Sequence, residues 1–397
     1  MEAYIVDAVR TAGGRRNGRL SQTHPADLGA SVIDALLDRT HVNPEEVEDV
    51  IFGCVSQIGP QTSNMARTAL LASRLPESVP GVTVDRQCGS GQQAIHFAAQ
   101  AVMSGTQDIV IAGGVESMSM VPILASMTVG VKAGMPSPFD GRAMQERYPG
   151  CEFNQFIGAE RMARKYGVTR EELDQFACES HQKAAVAFDE GRFDREIIPL
   201  EVEVKDEGGV ATKVIHQVDE GLRRNTSVES LAGLQPLQPD GLITAGSASQ
   251  ICDGAAAALI VNERGLKRLG LKPLARIHAM TVVGSDPTMV LEGPIPATEK
   301  IFAQTGLSID DMDLYEVNEA FGSVPLAWAK AVGADLKKLN VNGGAQALGH
   351  PLGATGAKLM GTLAWELRRR GGRYGLLTIC EGLGTANATI IESLPEA

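Results

Sequence analysis

Cys88 lies between a hydrophobic run and a glycine-rich segment, in the sequence VDRQCGSGQQAI. This order predicts a strand, a tight turn that holds the cysteine, and a helix that begins directly after it. Backbone N–H groups at a helix start stabilise negative charge, so we expect a lowered thiol pKa and a nucleophilic thiolate. Free cysteines more often pack as small hydrophobic residues, and we expect that of Cys54, Cys151, Cys178 and Cys252.

His350 lies in the glycine-dense segment NGGAQALGHPLGATGAK. Glycines let the backbone approach a ligand closely, and an imidazole at such a turn can act as a general base toward a thiol. The alternative is a structural histidine whose hydrogen bonds are satisfied inside the protein.

Two further polar positions follow hydrophobic strands. Cys380, in GLLTICEGLGTANA, could shuttle a proton or pack as a core cysteine. Asn318 and Glu319, in YEVNEAFG, could orient a water molecule beside a developing oxyanion or cap the helix that follows.

The elements that must position these residues occur twice along the chain. Residues 26–55 read as an amphipathic helix, an acidic short helix and a strand, and residues 297–321 repeat that order. About thirty residues after each copy comes a glycine-rich turn that opens a long helix, with Cys88 in the first turn and His350 in the second. The period is too long for a solenoid and indicates duplication of a whole α/β domain.

The repeat gives a domain division. We predict one half at residues 1–118 plus 247–270 and the other at residues 271–397. Residues 119–246, which are rich in Met and Pro and then in charged helix formers, are predicted to form an inserted loop domain.

Composition excludes several classes of protein. The 397 residues carry a formal net charge of −12, which argues against a general nucleic-acid binder. The six cysteines form no CxxC pair, so we expect neither a zinc site nor a disulfide scaffold. We find no membrane span, no secretory signal and no complete phosphate-binding loop, and we expect a cytoplasmic protein that binds no membrane and no metal.

Four segments together resemble signature blocks of the thiolase family, in the right order and spacing: RQCGSGQQA, VNEAF, NGGAQALGHPLGATGAK and CEGLG. The resemblance covers essentially the whole chain. It implies an α/β protein of two duplicated, five-layered halves, with a loop domain inserted in the first half.

The resemblance also implies catalytic roles. Cys88 would accept the acyl group, His350 would activate it, and Cys380 would act as the second acid and base. Asn318 would hold an oxyanion-hole water beside His350, and the backbone N–H groups of Cys88 and Gly382 would form a second oxyanion hole.

By local match, a second set of residues would bind coenzyme A, which is a substrate here, so no resident cofactor is expected. The residues are Arg223, Ser230, Ser249, Ala320 and Phe321. A solvated ion pair for Arg223 and a turn role for Ser249 are the alternatives. Family members are homodimers or homotetramers, and we expect one of these states.

Departures from the family pattern concern the acyl pocket. QFIG stands where HMG is common, MVLEGP where IMGxGP is usual, and CEGLG where CxGGG is usual. These variants look closer to degradative thiolases, including those acting on bulky or steroid side-chain acyl groups, than to acetoacetyl-CoA-forming ones.

We therefore expect a 3-ketoacyl-CoA thiolase, an acetyl-CoA C-acyltransferase that uses an acyl-Cys88 intermediate. A biosynthetic acetoacetyl-CoA thiolase is the alternative. Three other classes are disfavoured. A decarboxylating ketosynthase lacks the second cysteine, and a non-catalytic acyl-CoA-binding protein need not keep Cys88, Asn318, His350 and Cys380 together. An NAD-dependent oxidoreductase requires a glycine fingerprint that is absent.

Overall fold

A computed structural model describes residues 1–205 and 209–394. Three residues of the predicted insertion, 206–208, and three of the predicted second half, 395–397, lie outside the described residues. The chain forms a mixed α/β fold around one large sheet and a separate two-stranded ribbon.

The first half alternates strands and helices, as the sequence pattern predicts. Two 3₁₀ helices, Pro44–Glu46 and Gly59–Gln61, connect its elements. The strands and helices in chain order are β1 (Tyr4–Thr11), β2 (Gly14–Arg15), α1 (Pro25–Thr40), β3 (Asp49–Gly53), α2 (Met65–Ala72), β4 (Gly81–Val84), α3 (Ser90–Ser104) and β5 (Ile109–Ser117).

The middle of the chain forms several short helices and strands, and the chain then re-enters the main sheet at β9. The insertion contains α4 (Ala125–Lys132), α5 (Arg142–Arg147), α6 (Gln155–Lys165), α7 (Arg170–Asp189), β6 (Ile197–Ile198), β7 (Leu200–Lys205), β8 (Ala211–His216) and α8 (Val228–Ala232). The elements after it are β9 (Cys252–Val261) and α9 (Glu263–Leu269).

The second half repeats the order of the first. Its 3₁₀ helices are Ile309–Asp311 and Leu336–Lys338. Its strands and helices are β10 (Ala275–Gly284), α10 (Pro294–Thr305), β11 (Leu314–Val317), α11 (Ser323–Val332), α12 (Ala345–Leu348), α13 (Leu352–Arg370), β12 (Tyr374–Glu381) and β13 (Thr385–Ser393).

Strand pairing confirms the duplication of the fold. β3 pairs parallel with β5, β5 antiparallel with β9, and β9 antiparallel with β1. β11, β12, β13 and β10 pair in the same order and the same senses. A register irregularity recurs at equivalent places, between Ile5 and Asp7 in β1 and between Ile277 and Ala279 in β10.

Five layers result from the way helices cover the two half-sheets. α1 and α2 cover the outer face of the first half-sheet, and α10 packs on the strands of the second. α13 lies between the halves, because it contacts β1, β5 and β9 as well as β11, β12 and β13. α3 packs beside α13 in this central layer, so the helices that follow Cys88 and His350 are neighbours.

The inserted segment is tied to both halves. β6 pairs with β1, and the buried residues of α6, including Met162, join the hydrophobic core of the second half. These contacts do not define where each domain begins and ends, so the domain boundaries stay predictions. Among the described residues, no helix is both long and apolar enough to cross a membrane.

Candidate active site

Cys88 occupies the turn between β4 and α3, as the sequence predicts. Gln87, which precedes it, has a φ of 49°, so the backbone turns sharply there. Ser90 fixes the turn: its Oγ accepts the N–H of Arg86 at 2.9 Å and donates to the carbonyl of Gln87 at 2.6 Å. Cys88 is partly exposed at the start of the helix.

A second turn, between β12 and β13, lies directly against this one. A Cβ added to Gly89 would overlap Oε1 of Glu381, and a Cβ on Gly382 would lie 3.0 Å from Oε1 of Gln87. Residues on both sides of Cys88 therefore touch the β12–β13 turn. This brings Gly382, whose N–H is predicted to serve an oxyanion hole, next to the nucleophile turn.

The pKa of the Cys88 thiol contradicts the expectation from the local sequence. Burial of the thiol and, secondly, the carboxylate of Glu381 raise its pKa to about 12. A backbone N–H hydrogen bond at the helix start lowers the pKa, but by less than burial raises it. The expected lowered pKa is therefore wrong, and the resting residue is a thiol that needs a base.

Cys380 is the next-to-last residue of β12 and is fully buried. Its thiol pKa is raised, first by burial and then by the negative charge that Cys88 contributes when it ionises. The two thiols thus interact electrostatically, and ionisation of one opposes ionisation of the other.

His350 and Asn318 meet at the ends of different segments. Nδ2 of Asn318 lies 3.3 Å from Nε2 of His350, and Oδ1 of Asn318 is buried without a hydrogen-bond partner among the described residues. Nδ1 of His350 lies 2.6 Å from Oγ1 of Thr355, which donates to the carbonyl of Pro351 at 2.9 Å. With the threonine proton used there, Nδ1 carries the imidazole proton and Nε2 presents its lone pair.

Burial keeps this imidazole neutral. The pKa of His350 falls to about 3, mainly because the ring is buried and secondly because of the charge of Lys358. Lys358 is itself buried and donates to the carbonyls of Leu348 and Gly349 at 2.8 and 3.1 Å, which fastens the backbone just before His350. A neutral, oriented imidazole is suited to accept a proton.

Small residues bring the cysteine turn and the histidine turn together. A Cβ on Gly91, in the first turn of α3, would lie 2.7 Å from the carbonyl oxygen of Gly353, in the first turn of α13. Only glycine at this position lets the two helix starts approach so closely. The duplicated turns therefore face each other across the central layer.

Glu319 does not cap the helix after Asn318. Its buried carboxylate accepts hydrogen bonds from the Asn340 side chain at 3.0 Å, the Gln346 backbone N–H at 3.0 Å and the Ser180 hydroxyl at 2.8 Å. The side chain therefore anchors the segment that leads to His350. The helix-cap alternative for Asn318 is also excluded, because its Oδ1, the atom that would accept a backbone N–H in a cap, has no hydrogen-bond partner among the described residues.

Three of the predicted coenzyme A residues lie together beside Asn318. The N–H of Ser249 donates to the carbonyl of Ala320 at 3.0 Å, and Ala248 forms a β-bridge with Phe321. Ala320 and Phe321 are buried, whereas Ser249 is partly exposed.

The other two coenzyme A candidates lie in the inserted segment. Arg223 is exposed, and its backbone N–H donates to Nδ1 of His181 at 3.1 Å. Ser230 is exposed, but its hydroxyl donates to the carbonyl of Ser227 at 2.7 Å within a capping box. Contacts of these two side chains with coenzyme A stay predictions.

Gln250 links this region to the turn that holds His350, and the sequence analysis did not identify it. Its side-chain amide donates to the carbonyls of Gly221 at 2.8 Å and Gln346 at 2.6 Å. The backbone carbonyl of Gln250 accepts the N–H of His350 at 3.0 Å. The sequence carries no signal for this role, whereas Thr355, also missed, could have been suspected from its place in the first turn after His350.

Apolar side chains surround the approach to these turns. The rings of Phe156 and Phe321 make an edge-to-face contact, with centroids 5.4 Å apart. A Cβ on Gly158 would lie 2.9 Å from the carbonyl oxygen of Met289, so α6 packs on the segment that departs from the family pattern. Phe156 and Leu383 keep 36% and 41% of their surface exposed, which leaves apolar area to contact a substrate.

The remaining cysteines are unbonded, and all six lie in the described part of the chain. Cys54, Cys178 and Cys252 are buried, in agreement with the packing role expected of them. Cys151 is only partly buried, because its segment of the insertion lies near the surface.

Comparison with known proteins identifies the family. The model for the N-terminal domain of thiolase matches residues 3–264, and the model for the C-terminal domain matches residues 271–393. Together these two matches cover nearly the whole chain.

Individual relatives match this chain over nearly their full length. The chain is 53% identical over 394 residues to a steroid 3-ketoacyl-CoA thiolase of Mycobacterium tuberculosis, covering 99% of this chain and 94% of that protein. It is 43% identical over 397 residues to an acetyl-CoA acetyltransferase of Chromobacterium violaceum, covering 99% and 100%. It is 41% identical over 401 residues to a 3-ketoacyl-CoA thiolase of Marinobacter nauticus, covering 99% and 98%. The chain therefore belongs to the thiolase family, whose members are acyltransferases that act on acyl-CoA substrates.

Proposed function

We propose that the protein is a degradative 3-ketoacyl-CoA thiolase, which cleaves a 3-ketoacyl-CoA with coenzyme A to acetyl-CoA and a shortened acyl-CoA. The observation that carries the proposal is the contact between the Cys88 turn and the β12–β13 turn, which follows Cys380. Gly89 lies against Glu381, and Gln87 lies against Gly382. Full-length relatives named 3-ketoacyl-CoA thiolase support the same direction of reaction.

The first half-reaction forms the acyl-enzyme. The Cys88 sulfur attacks the 3-keto carbon while its proton passes to Nε2 of His350, which is neutral and presents its lone pair. The bond between C2 and C3 then breaks, and its electron pair stays on C2 of the leaving acetyl-CoA. The Cys380 thiol gives that carbon its proton and becomes a thiolate.

The second half-reaction releases the product. The Cys380 thiolate takes the thiol proton of coenzyme A, and the resulting coenzyme A thiolate attacks the acyl carbon. The bond between that carbon and Cys88 breaks, and the Cys88 sulfur recovers its proton from His350. Both cysteines thereby return to the thiol state that their raised pKa values favour.

Two groups of donors would stabilise the oxyanions. The protonated Nε2 of His350, with a water molecule held by the Asn318 amide, would serve one oxygen. The backbone N–H groups of Cys88 and Gly382 would serve the other. Preorganised donors of this kind supply a large part of catalysis in acyl transfer.

The shortened acyl group is proposed to be bulky and apolar. Phe156 contacts Phe321, Met289 packs against α6, and Leu383 follows Gly382 with exposed apolar surface. The 53% identical relative is named for steroid substrates. Burying apolar surface contributes about 25 cal/mol per Å², so an enlarged apolar acyl group would gain affinity at this wall.

A panel of substrates tests the proposal. Rates of coenzyme A-dependent cleavage are measured for acetoacetyl-CoA and for medium, long, and branched or cyclic 3-ketoacyl-CoAs. We expect higher kcat/KM for the larger substrates. A clear preference for acetoacetyl-CoA would instead favour a biosynthetic acetoacetyl-CoA thiolase, and the absence of thiolysis with every substrate would favour a non-catalytic acyl-CoA-binding protein.

Binding and assembly complete the proposal. Arg223, Ser230, Ser249, Ala320 and Phe321 are proposed to contact coenzyme A, with Arg223 supplying positive charge to an anionic substrate on an acidic protein. A homodimer or homotetramer is proposed for the assembly, and the mass of the protein in solution tests it.

A further inference from the structure

Glu381 places a buried carboxyl group beside the segments that carry Cys88 and Cys380. It directly follows Cys380, and its Oε1 lies against Gly89, which directly follows Cys88. Its Oε2 accepts the hydroxyl of Thr385 at 2.6 Å. The residue is fully buried, and Oε1 has no hydrogen-bond partner in the described part of the chain.

The charges that face this carboxyl come from several elements. From the segment before α3, the Arg86 guanidinium attracts it, and this attraction lowers the Glu381 pKa. Its own negative charge raises the thiol pKa of both Cys88 and Cys380. Asp85, before α3, and Glu116, at the end of β5, also raise the pKa of Cys88.

We propose that Glu381 is a positioning residue whose charge state controls Cys88: its carboxylate form opposes ionisation of the thiol, and its neutral form does not. The inference rests on the proposed function only for the identity of Cys88 as nucleophile. A neutral carboxylic acid beside the thiols leaves their ionisation to His350 and the substrate, whereas a carboxylate adds a second negative charge to a site from which water is largely excluded.

The direction of the pH effect follows from the ionisation of Glu381. Burial raises its pKa to about 8, more than the Thr385 hydrogen bond and Arg86 lower it. Below that pH the side chain is neutral, and above it the side chain is an anion. The thiolate population of Cys88 should therefore rise less steeply above pH 8 than below it.

The rate at which iodoacetamide alkylates Cys88 reports the thiolate population of that residue in the absence of any acyl-CoA. Rate constants are determined from about pH 6.5 to about pH 9.5, and the Cys88 peptide is quantified by mass spectrometry so that alkylation elsewhere does not contribute. In Glu381→Gln, we expect a rate within about twofold of the wild type at the low end and roughly tenfold higher at the high end, which corresponds to one unit of thiol pKa.

Glu392→Gln is the matched control, because it removes one negative charge from the same pair of strands at the opposite end. Glu392 pairs with Arg276 and Arg373, and its register partner in β12 is Tyr374, whereas that of Thr385 is Glu381. We expect its alkylation profile to follow that of the wild type. Superimposable profiles for Glu381→Gln and the wild type would overturn the proposal.

Thr385→Val gives an independent test that keeps the carboxyl group. Losing the hydrogen bond removes a contact that favours the carboxylate, so Glu381 should stay neutral to a pH higher by roughly half a unit to one unit. The bend in the alkylation profile should move up by the same amount, and an unmoved bend would contradict the proposal. A protein that alkylates as expected but cleaves no 3-ketoacyl-CoA would refute only the proposed function.

Discussion

Nδ2 of Asn318 lies 3.3 Å from Nε2 of His350, although the two residues are 32 positions apart in the chain. Asn318 directly follows β11, and His350 precedes α13. The contact gives a defined partner to Nε2, the nitrogen that is proposed to accept the proton of Cys88. The same amide keeps Oδ1 free of other partners among the described residues, so it can hold a water molecule for an oxyanion.

Replacing Asn318 by alanine tests this amide. We expect kcat to fall by roughly 10²- to 10³-fold, because one oxyanion donor and the partner of Nε2 are lost. KM should change much less, since the amide is buried and acts on the reacting centre. Steady-state kinetics with one substrate separate the two parameters, and a kcat within about threefold of wild type would show that the amide is dispensable.

Thr355→Val removes the hydroxyl that fixes Nδ1 of His350 at 2.6 Å. The imidazole can then adopt the tautomer with its proton on Nε2, which cannot accept the thiol proton. We expect a loss of roughly tenfold in kcat, the equivalent of one hydrogen bond to a buried group. Thr355→Ser retains the hydroxyl and should restore most of the rate; equal losses in both variants would mean that packing, not the hydrogen bond, matters.

The pH dependence of the first half-reaction reports the state of His350. Its pKa is lowered to about 3 from the ordinary value of 6.5, so the ring stays neutral and able to accept a proton throughout mildly acidic solution. Formation of the acyl-enzyme should therefore show no inflection attributable to this histidine from about pH 5 to about pH 7. Rapid-mixing measurements of the rate of acyl-enzyme formation against pH check this prediction. An inflection in that rate near pH 6.5 that disappears in Thr355→Val would contradict the lowered pKa of His350.

Phe156→Ala tests the apolar wall. Phe156 contacts Phe321 and keeps part of its ring exposed, so its removal should cost a bulky acyl group roughly 1–2 kcal/mol of binding, or about tenfold in kcat/KM. Acetoacetyl-CoA has a much smaller acyl group, so we expect it to be cleaved nearly as before. Val186→Ala, which truncates an exposed apolar side chain on α7, is the control. Equal losses for both substrates would place Phe156 outside the acyl pocket.

Much of the architecture could be predicted because it repeats. The order of helix, short acidic helix and strand at residues 26–55 and 297–321 indicates the duplication, and the duplication pairs the Cys88 turn with the His350 turn. The facing helix starts at Gly91 and Gly353 are the structural result of this pairing.

Other features depend on contacts between distant segments. The expected lowering of the Cys88 pKa used only the local helix start, whereas burial and the carboxylates of Glu381 and Glu116 raise it from other strands. Gln250 and Glu319 hold the His350 segment through bonds to residues far away in the chain. No local pattern of the sequence encodes which side chains meet across such distances.

Cys88 is proposed to carry the acyl group, and the mass of the intact protein shows whether it does. The protein is mixed with a 3-ketoacyl-CoA in the absence of coenzyme A, quenched in acid, and digested to locate the modified residue. We predict that the mass rises by that of the shortened acyl group, that the adduct maps to Cys88, and that added coenzyme A discharges it. An adduct on another residue, or full thiolysis by Cys88→Ala, would contradict the claim.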